Sequence, residues 1–447
     1  SSRQPVEAAP KPPRPTARGT DMLDSATISM EDFTAEATSF LDANAEKRPP
    51  QKEFRWGEGS DDVAVFDEKD REAEAVEAEE AKAWRRKRFD AGFGWIQGPA
   101  EFGGRELPAA YERAYAALES GYVTPNMGIF AISLGMVAPT ILAHATDEVK
   151  KLYLRDLYRG DQVGCQLFSE PGSGSDLASI QTKALRDGDE WLLTGQKVWT
   201  SSAHLSEIGE IICRTDPDQP KHRGMTVFVV DMKDPGVTIR PLRQMTGGAN
   251  FNEVFFDEVR VHDSHRLGDV NGGWTVALTT LMNERASIGG GGAGGGAGLF
   301  TPGRIHAMLE HFGLDDDPVV RDEIARIYCS FQVAKWNNQR ALDKIKAGGL
   351  PGPEMSTAKL ALTNNLKAYA DWVSRVLGPR ITADSGEWGT YSFSAMLCGV
   401  PGMRVAGGTD EVMRNIVAEQ VLGLPKGPGV DKATPFKDIP VGTQRSE

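Results

Sequence analysis

The sequence predicts an α+β protein with an N-terminal helical domain, a middle antiparallel β-barrel domain and a C-terminal helical bundle. Its 447 residues exceed a single ordinary core. Helix-forming segments fill both ends of the chain, and short β-rich runs separated by turn residues fill the middle. We expect domains at 27–163, 164–272 and 273–426, with tails at 1–26 and 427–447.

The first domain follows a stretch that is poor in large apolar residues. The segment "APKPPRPTARG" within 1–26 lacks the apolar residues of a folded core or of a signal peptide, so we expect a disordered tail. From about Ser29 to Tyr158 the composition is typical of helices. It includes the charged run "EKDREAEAVEAEEAKAWRRKRFDAG", which is most simply the solvated face of a helix.

Five β-rich runs predict the middle domain. They read "EWLLTGQKVWTSS", "EIGEIICRT", "GMTVFVVDM", "GVTIRPL" and "NEVFFDEVRV", and turn residues separate them. Strands at this spacing are typical of a small antiparallel barrel or sandwich. After about Gly273 the helical pattern returns, and it continues to "EVMRNIVAEQVLGLP", where Gly423 and Pro425 end it.

Composition and charge argue against several classes of function. The net charge is -13, from 63 acidic and 50 basic residues, and no dense basic run could follow a phosphate backbone, so we expect no nucleic-acid partner. Four separated cysteines and seven histidines without ligand spacing predict neither a disulfide framework nor a metal site. No stretch approaches the roughly 20 apolar residues of a membrane span. We expect a cytoplasmic protein.

A single carboxylate on an apolar helix face is the first candidate catalytic residue. Glu284, in "TLMNERASIGGGG", completes a stripe of helical period formed by Trp274, Ala277, Leu281 and Ile288. A poorly solvated carboxylate has a raised pKa, toward the range of a general base. The alternative is an ion pair with a distant Lys or Arg, because the adjacent Arg285 does not face Glu284 on a helix.

Two motifs in the β region have the composition of a site for a flat ring or a phosphate. Gly172 to Ser175 form a loop with little side-chain bulk, so backbone N–H groups and hydroxyls can approach a ligand closely. Trp199 adds a π surface beside the small hydrogen-bonding residues Thr200 and Ser201. Taken singly, the loop also fits a plain turn, and the tryptophan also fits a core position.

The motifs, in their order along the chain, resemble the acyl-CoA dehydrogenase family. The segments "CQLFSEPGSGSDLASIQTKA", "LTGQKVWTSS", "FNEVFFDEVRVHDSHRLGDVNGGW" and "GGTDEVMRNIVAEQVLGLP" carry the resemblance, which runs from about Pro99 to Lys426. It implies an FAD-dependent oxidoreductase of fatty acid and lipid metabolism that converts an acyl-CoA thioester to the trans-2-enoyl-CoA. An acyl carrier protein thioester is an alternative to the CoA ester.

The resemblance also implies roles for individual residues. It places a set of side chains around the flavin and its diphosphate: Phe168, Ser169, Trp199, Thr200, Ser201, Thr409 and Glu411. Ser175 lies where the family contacts the CoA portion of the substrate, and Arg285 follows the base on the substrate side.

The position of the catalytic base separates two branches of the family. Many members carry it as a glutamate directly before a Gly-Thr pair near the C-terminus, where this chain reads "VAGGT" and has Gly407. The isovaleryl-type and long-chain-type members carry it as Glu-Arg on the helix after the β domain, where this chain reads "NER". The resemblance therefore implies that Glu284 removes the α-proton and that the backbone N–H of Gly407 donates to the thioester oxygen.

Partners and alternatives follow from the same resemblance. We expect electron-transfer flavoprotein as the electron acceptor and a homotetramer built as a dimer of dimers. The family's Arg and Phe segment at the FAD diphosphate is not matched by "GLFTPGRIHAMLEHFG", where Arg304 is the basic residue. A heteromer with a second dehydrogenase-like subunit, a flavin-free partner subunit, and an oxidase that uses O2 are the alternatives.

The glycine run at 289–298 has two interpretations. In a helix each glycine would cost about 1 kcal/mol relative to alanine, so some compensation is needed. The bare surface either widens the acyl pocket beyond the base or permits close packing of a neighbouring helix. Its G-x-G-x-x-G spacing does not predict a Rossmann phosphate loop, because no strand precedes it.

Overall fold

Two helical regions flank a β region along the chain, which confirms the predicted fold class. In the computed structural model the described residues are 28–50, 54–66, 68–289, 299–346, 352–427 and 433–439. The predicted tail at 1–26 and positions 290–298 of the glycine run lie outside them. None of the described helices is both long enough and apolar enough to cross a membrane.

The N-terminal region contains helices and a short two-stranded ribbon. The helices are α1 (Met30–Asn44), α2 (Arg71–Asp90), α3 (Ala109–Glu119), α4 (Phe130–Ile132), α5 (Ala138–His144) and α6 (Asp147–Arg159). Strand β1 (Glu46–Lys47) pairs with β2 (Tyr122–Val123), and a π-helical turn at Ser133–Val137 joins α4 to α5. Thr146 caps α6 by accepting a hydrogen bond from the N–H of Val149, and Gly160, with a φ of 87°, ends it.

The structure of helix α2 contradicts part of the prediction that the charged run forms a solvated helix face. Its acidic residues lie largely at the surface, but the basic residues Lys82, Arg85 and Arg88 are buried. Arg88 pairs with Glu119 at 3.2 Å and Lys82 with Glu207 at 3.1 Å. The prediction of a solvated face is wrong for this half of the run, because the partners lie far away in sequence and a local window does not contain them.

The β region contains all five predicted strands and three shorter ones. The predicted strands are β5 (Glu190–Ser201), β6 (Ile208–Arg214), β7 (Met225–Asp231), β8 (Val237–Leu242) and β9 (Phe251–His262); the others are β3 (Gly164–Leu167), β4 (Lys183–Asp187) and β10 (Arg266–Leu267). The strand order is β10-β7-β6-β4-β5-β9-β8, with β3 also paired to β6.

The pairing in this sheet is mixed. Strand β3 runs parallel to β6, with Gly164 opposite Ile208, and β4 meets β6 in parallel at Lys183 and Arg214. The other pairs are antiparallel, as predicted. Strands β3 and β6 can run parallel because a long connection, which includes β4 and β5, joins the end of β3 to the start of β6. Within the described residues no pairing joins β8 to β10.

The C-terminal region is helical. Its helices are α7 (Gly273–Gly289), α8 (Pro302–Phe312), α9 (Pro318–Lys346), α10 (Ser356–Leu377), α11 (Phe393–Met403) and α12 (Asp410–Ile416). Fully buried side chains of α10 and α11 form its core, among them Tyr369, Trp372 and Phe393. A π-helical turn at Val417–Val421 follows α12, and Gly423 with a φ of 69° ends it where the sequence predicts.

Residues 433–439, inside the predicted C-terminal tail, pack on the β region. The centre of the Phe436 ring lies 3.8 Å from the guanidinium carbon of Arg214. The backbone N–H of Phe436 donates to the carbonyl of Gln219 at 2.9 Å. Phe436 and Ile439 are both buried. This short segment therefore covers the end of β6 and the turn between β6 and β7.

We expect Phe436→Ala to lower the free energy of unfolding by about 3 kcal/mol, because it removes a buried ring and leaves a cavity. Lys437→Ala is the control: its ion pair with Asp218 is exposed, and such pairs contribute about 1 kcal/mol or less. Urea unfolding followed by tryptophan fluorescence measures both. Equal midpoints for the two variants would show that this segment does not pack on the sheet.

Candidate active site

Strand β5 holds Trp199 at the surface of the β region. The register of β5 against β9 shifts between Lys197 and Thr200, and at this bulge Trp199 adopts a φ of 62°. The side chain is 57% exposed, and its ring meets Phe251 edge-on at 5.8 Å. A bulky residue in this backbone region costs about 1–3 kcal/mol, and such strain clusters at functional sites. The interpretation of Trp199 as a core residue is therefore wrong.

Thr200 next to it is buried and incompletely hydrogen-bonded. Its backbone carbonyl accepts from Asn252 Nδ2 at 3.0 Å, and Asn252 Oδ1 in turn accepts from Arg71 at 2.9 Å. The Thr200 hydroxyl has no partner among the described residues. A buried hydroxyl left unpaired costs about 1–3 kcal/mol. Ser201, at the end of the strand, is half-buried.

The segment after β3 lies against the same part of β5. The N–H of Val198 donates to the carbonyl of Ser169 at 2.9 Å, and the ammonium of Lys197 donates to the carbonyl of Phe168 at 3.1 Å. Phe168 itself is buried. The structure thus brings Phe168, Ser169 and the Trp199 bulge together.

A buried ion pair fixes this arrangement. Lys197 is completely buried and lies 2.8 Å from a carboxylate oxygen of Glu170. The carboxylate also accepts from the N–H groups of Gln181 at 2.6 Å and Thr182 at 2.9 Å. Burial alone would raise the pKa of Glu170, but the ammonium and the N–H groups outweigh it and hold the pKa below its usual range. The sequence analysis did not identify this pair.

The Gly172 to Ser175 loop is fixed from its inner side. Glu170 and Ser173 exchange backbone hydrogen bonds at 3.0 Å, and the hydroxyl of Ser173 donates to the carbonyl of Asp176 at 2.5 Å. A Cβ atom at Gly172 or Gly174 would meet nothing within 4 Å. Ser175 is exposed. The outer side of the loop therefore has room for ligand atoms.

Helix α7 carries Glu284 and begins in close contact with strand β7. A Cβ atom at Gly273 would lie 2.8 Å from the carbonyl oxygen of Met225, so glycine permits this approach. One turn later Ala277 enters the same core cluster as Phe168. The helix of the predicted base and the segment of the predicted flavin site therefore belong to one hydrophobic core.

Glu284 itself is half-buried on α7, four residues beyond the fully buried Thr280. Residues at this spacing lie on the same helix face. The side chain of Arg285 and positions 290–298 lie outside the described part of the chain. Their implied roles remain predictions.

Gly407, Thr409 and Glu411 lie where the chain enters α12. Gly407 and Gly408 have φ values of 65° and 92°, in the region that favours glycine. The hydroxyl of Thr409 accepts from the N–H of Val412 at 3.1 Å and so caps the helix. Glu411 is exposed and faces Arg414 at 3.4 Å.

A buried carboxylate that the sequence analysis missed anchors this segment. Asp410 accepts hydrogen bonds from Lys359 and Thr363 at 2.9 Å and from Arg404 at 2.8 Å. Burial would raise the pKa of Asp410, but these donors outweigh it and lower the pKa. Through these contacts the segment is tied to α10 rather than to the β region. The only local signal was an acidic residue after a capping threonine.

Arg304 is engaged within the chain. Its guanidinium donates to the carbonyls of Asp61 at 3.1 Å and Ser60 at 3.2 Å. The rings of Phe54 and Trp388 lie 5.2 and 5.7 Å from its carbon. Arg304 thus joins α8 to the segment that precedes α2.

We expect Lys197→Met to lower the free energy of unfolding by about 3–5 kcal/mol, because it leaves the Glu170 carboxylate buried without its partner. The double variant Lys197→Met/Glu170→Met should recover most of this loss, since no buried charge remains. Lys183→Met, which changes an exposed lysine of β4, is the control. Urea midpoints at pH 7 measure the effect, and equal midpoints for the two single variants would contradict it.

The pH dependence gives a second test of the same pair. Because the fold lowers the pKa of Glu170, its contribution is present above the ordinary value of 4.5 and is lost as the pH falls through the lower, folded value. Wild type should therefore lose more stability than the double variant between pH 5 and pH 3.

Models of one protein family match successive parts of the chain. The N-terminal domain of acyl-CoA dehydrogenases matches residues 61–161, the middle domain matches residues 165–259, and the C-terminal domain matches residues 271–422.

Curated relatives agree with this match. Acyl-CoA dehydrogenase FadE34 of Mycobacterium tuberculosis is 41% identical over 294 residues, which are 65% of this chain and 39% of that protein. The chain thus spans well under half the length of this relative. Acyl-CoA dehydrogenase IpdE1 of the same organism is 33% identical over 373 residues, covering 80% of this chain and 90% of that protein.

Solved structures have the same fold. The ChsE4-ChsE5 complex from Mycobacterium tuberculosis matches with a TM-score of 0.64 at 26% identity, over 91% of this chain and 100% of that one. The Tcur3481-Tcur3483 steroid ACAD matches with a TM-score of 0.66 at 24% identity, over 89% and 98% of the two chains. With its three domains in the family's order and a relative aligned over most of both lengths, this chain belongs to the acyl-CoA dehydrogenase family.

Proposed function

We propose that this protein is an FAD-dependent acyl-CoA dehydrogenase in which Glu284 removes the α-proton of the thioester. The observation that carries the proposal is that α7, the helix of Glu284, and the Phe168 segment contribute side chains to one hydrophobic core, through Ala277 and Phe168. The product would be the trans-2-enoyl-CoA.

The residues of the β region fit a flavin. The exposed indole of Trp199 offers a flat apolar face beside the unpaired hydroxyl of Thr200, and a flavin ring presents both a flat surface and polar edges. FAD, when bound, would accept the β-hydride at N5. Lys197 and Asn252 would keep Phe168 and Thr200 in place through their backbone carbonyls.

Glu284 and Gly407 would act on the thioester. The half-buried carboxylate of Glu284 would accept the α-proton, and negative charge would then develop on the carbonyl oxygen. The backbone N–H of Gly407 would donate to that oxygen. The alternative for Glu284 is a structural ion pair, and the experiment below separates the two.

Electrons would then pass to electron-transfer flavoprotein, whereas an oxidase would pass them to O2. The names of FadE34 and IpdE1 favour the dehydrogenase. Slow reoxidation of the reduced protein in air, without peroxide, supports the dehydrogenase; rapid reoxidation with peroxide would identify an oxidase.

Glu284→Gln should slow the bleaching of oxidised FAD by about 10²–10⁴-fold, the usual contribution of a general base. The experiment is an anaerobic titration with butyryl-, isovaleryl-, octanoyl- and palmitoyl-CoA and a sterol side-chain acyl-CoA. The absorbance of bound flavin should be equal in wild type and variant before substrate is added. Glu148→Gln, which changes an exposed glutamate of α6, should bleach like wild type.

Two outcomes would contradict the proposal in different ways. Equal bleaching of wild type and Glu284→Gln would show that Glu284 is not the base and would favour the ion pair. A wild-type protein that is colourless and does not take up FAD would instead indicate a partner subunit of a heteromeric dehydrogenase.

We further propose that the protein functions as a homotetramer, with a heteromer as the alternative. Helix α9 exposes an apolar stripe at Cys329, Val333 and Trp336, which have helical spacing, and Trp336 is 66% exposed. Contiguous exposed apolar groups of this kind mark protein–protein contacts. One neighbouring structure, ChsE4-ChsE5, is itself described as a complex.

Val333→Glu/Trp336→Glu should therefore reduce the particle mass measured by light scattering, because it places charges in an apolar contact. Lys335→Glu changes an exposed residue between them and should leave the mass unchanged. A wild-type protein that is monomeric alone, and gains mass only with a second dehydrogenase-like chain, would overturn the homotetramer in favour of the heteromer.

A further inference from the structure

A completely buried carboxyl group, Glu210 of β6, lies under helix α7 and has no role in the site described above. One carboxyl oxygen, Oε1, lies 2.6 Å from the hydroxyl of Thr280 on α7. That hydroxyl lies 2.9 Å from the hydroxyl of Thr140 on α5, which donates to the carbonyl of Met136 at 2.8 Å. A continuous chain of hydrogen bonds thus joins the sheet, α7 and the π-helical turn.

The surroundings of Glu210 favour its uncharged form. Its strand neighbours are Gln166 of β3 and Val229 of β7. Burial raises the pKa of Glu210 to about 8, and the hydrogen bond with Thr280 only partly opposes this. Among the described side chains of α5 and α7, the titratable ones are His144, whose Nε2 lies 2.8 Å from the hydroxyl of Thr279, and Glu284.

The direction of the hydrogen bond between Thr280 and Glu210 depends on the proton: Thr280 donates to an ionised Oε1, whereas a protonated Oε1 can donate to Thr280. A protonated Oε1 would donate to Thr280, Thr280 to Thr140, and Thr140 to the carbonyl of Met136, so each hydroxyl would donate once and accept once. An ionised Glu210 could only accept. It would also be a buried charge without a cationic partner among its described contacts, which is costly.

We propose that Glu210 is a neutral acid that holds α7 in register on the β region and thereby positions the carboxylate of Glu284. The inference rests on the proposed function, in which Glu284 is the base. Thr280 and Glu284 lie on the same helix face, about 6 Å apart along the axis. A displacement of a reacting group by about 1 Å can cost on the order of 10²-fold in rate, so the register of α7 matters.

The alternative is that apolar packing alone fixes α7. Val276 and Ala277 are buried in the core, and the hydroxyl chain would then be a consequence of that packing. Two measurements separate the proposal from this alternative: the pH dependence of stability, which needs no substrate, and the turnover of variants on α7.

The first measurement compares the thermal midpoints of wild type and Glu210→Gln from pH 5 to pH 9. In wild type the folded carboxyl keeps its proton up to about pH 8, whereas the unfolded carboxyl loses it near the ordinary value of 4.5. The unfolded state therefore binds fewer protons between these values, and wild-type stability falls as the pH rises. Glutamine stays neutral and can donate to Thr280.

The midpoint of Glu210→Gln should thus rise relative to that of wild type from pH 5 to pH 8 and keep a constant difference above pH 8. A difference that does not change between pH 5 and pH 8 would overturn the neutral acid.

The second measurement uses Thr280→Val, which keeps the shape of the side chain and removes the hydroxyl. With the acyl-CoA of the panel that bleaches wild type fastest, we expect kcat to fall by at least about tenfold, with KM changed less than about twofold, because the base is displaced. Thr275→Val, an exposed position on the same helix, should leave both unchanged. Unchanged kcat in a folded, flavin-bound Thr280→Val protein would overturn the positioning role.

A double variant separates this inference from the proposed function. If Thr280 acts through the base, Thr280→Val should not slow the residual bleaching of Glu284→Gln any further. Multiplicative losses in the double variant would contradict positioning. Wild-type rates in Glu284→Gln alone would refute the proposed base, and the pH dependence of Glu210→Gln would still test the neutral acid.

Discussion

The constraint on which the rest of the structure depends is one hydrophobic core shared by all three regions of the chain. It contains Ile141 and Leu154 of the N-terminal helices and Ile212 of the sheet. It also contains Phe168, which follows β3, and Ala277 of α7. Burial of each large apolar side chain contributes about 1.5–3 kcal/mol, so the cluster as a whole fixes the relative positions of these elements. The predicted flavin wall and the helix of the predicted base come from different regions, and both regions contribute side chains to this core.

Two buried carboxyl groups of the β region have surroundings that favour opposite ionisation states. Glu170 has a lysine ammonium and two backbone N–H groups as partners, so its charged form is favoured. Glu210 has one hydroxyl and no cationic partner among its described contacts, so its neutral form is favoured. The residue type is identical, and the difference arises from the partners that each position meets. The first pair fixes the segment of the predicted flavin site, and the second group lies under the helix of the predicted base.

The sequence could predict strands β5 to β9, because each is a run of β-branched, aromatic or other apolar residues bounded by turn residues. It could not predict β3 and β4, because both strands are short. It also could not predict that β3 pairs in parallel with β6, because this pairing depends on where the chain leaves α6. Within the site, the sequence singled out Trp199, Thr200 and Ser201, but it did not predict the bulge at Trp199. It did not predict the network at Asp410 either, since Lys359 and Thr363 lie about fifty residues away. Glu210 looks like an exposed residue of "EIGEIICRT", but the structure buries it, with its carboxyl group against Thr280 of α7.

The backbone at Gly407 offers a physical reason for the position of the predicted base. Its φ of 65° is in the left-handed region, where a residue with a side chain costs about 1–2 kcal/mol. Gly408 is more constrained, because a Cβ atom there would lie 2.5 Å from the methyl group of Met413. A glutamate at 407 would therefore adopt an unfavourable backbone conformation, whereas Glu284 lies in a regular helix. The loop at Gly407 can then supply a backbone N–H while the helix supplies the carboxylate. The glycine at 407 and the glutamate at 284 both agree with this division of roles.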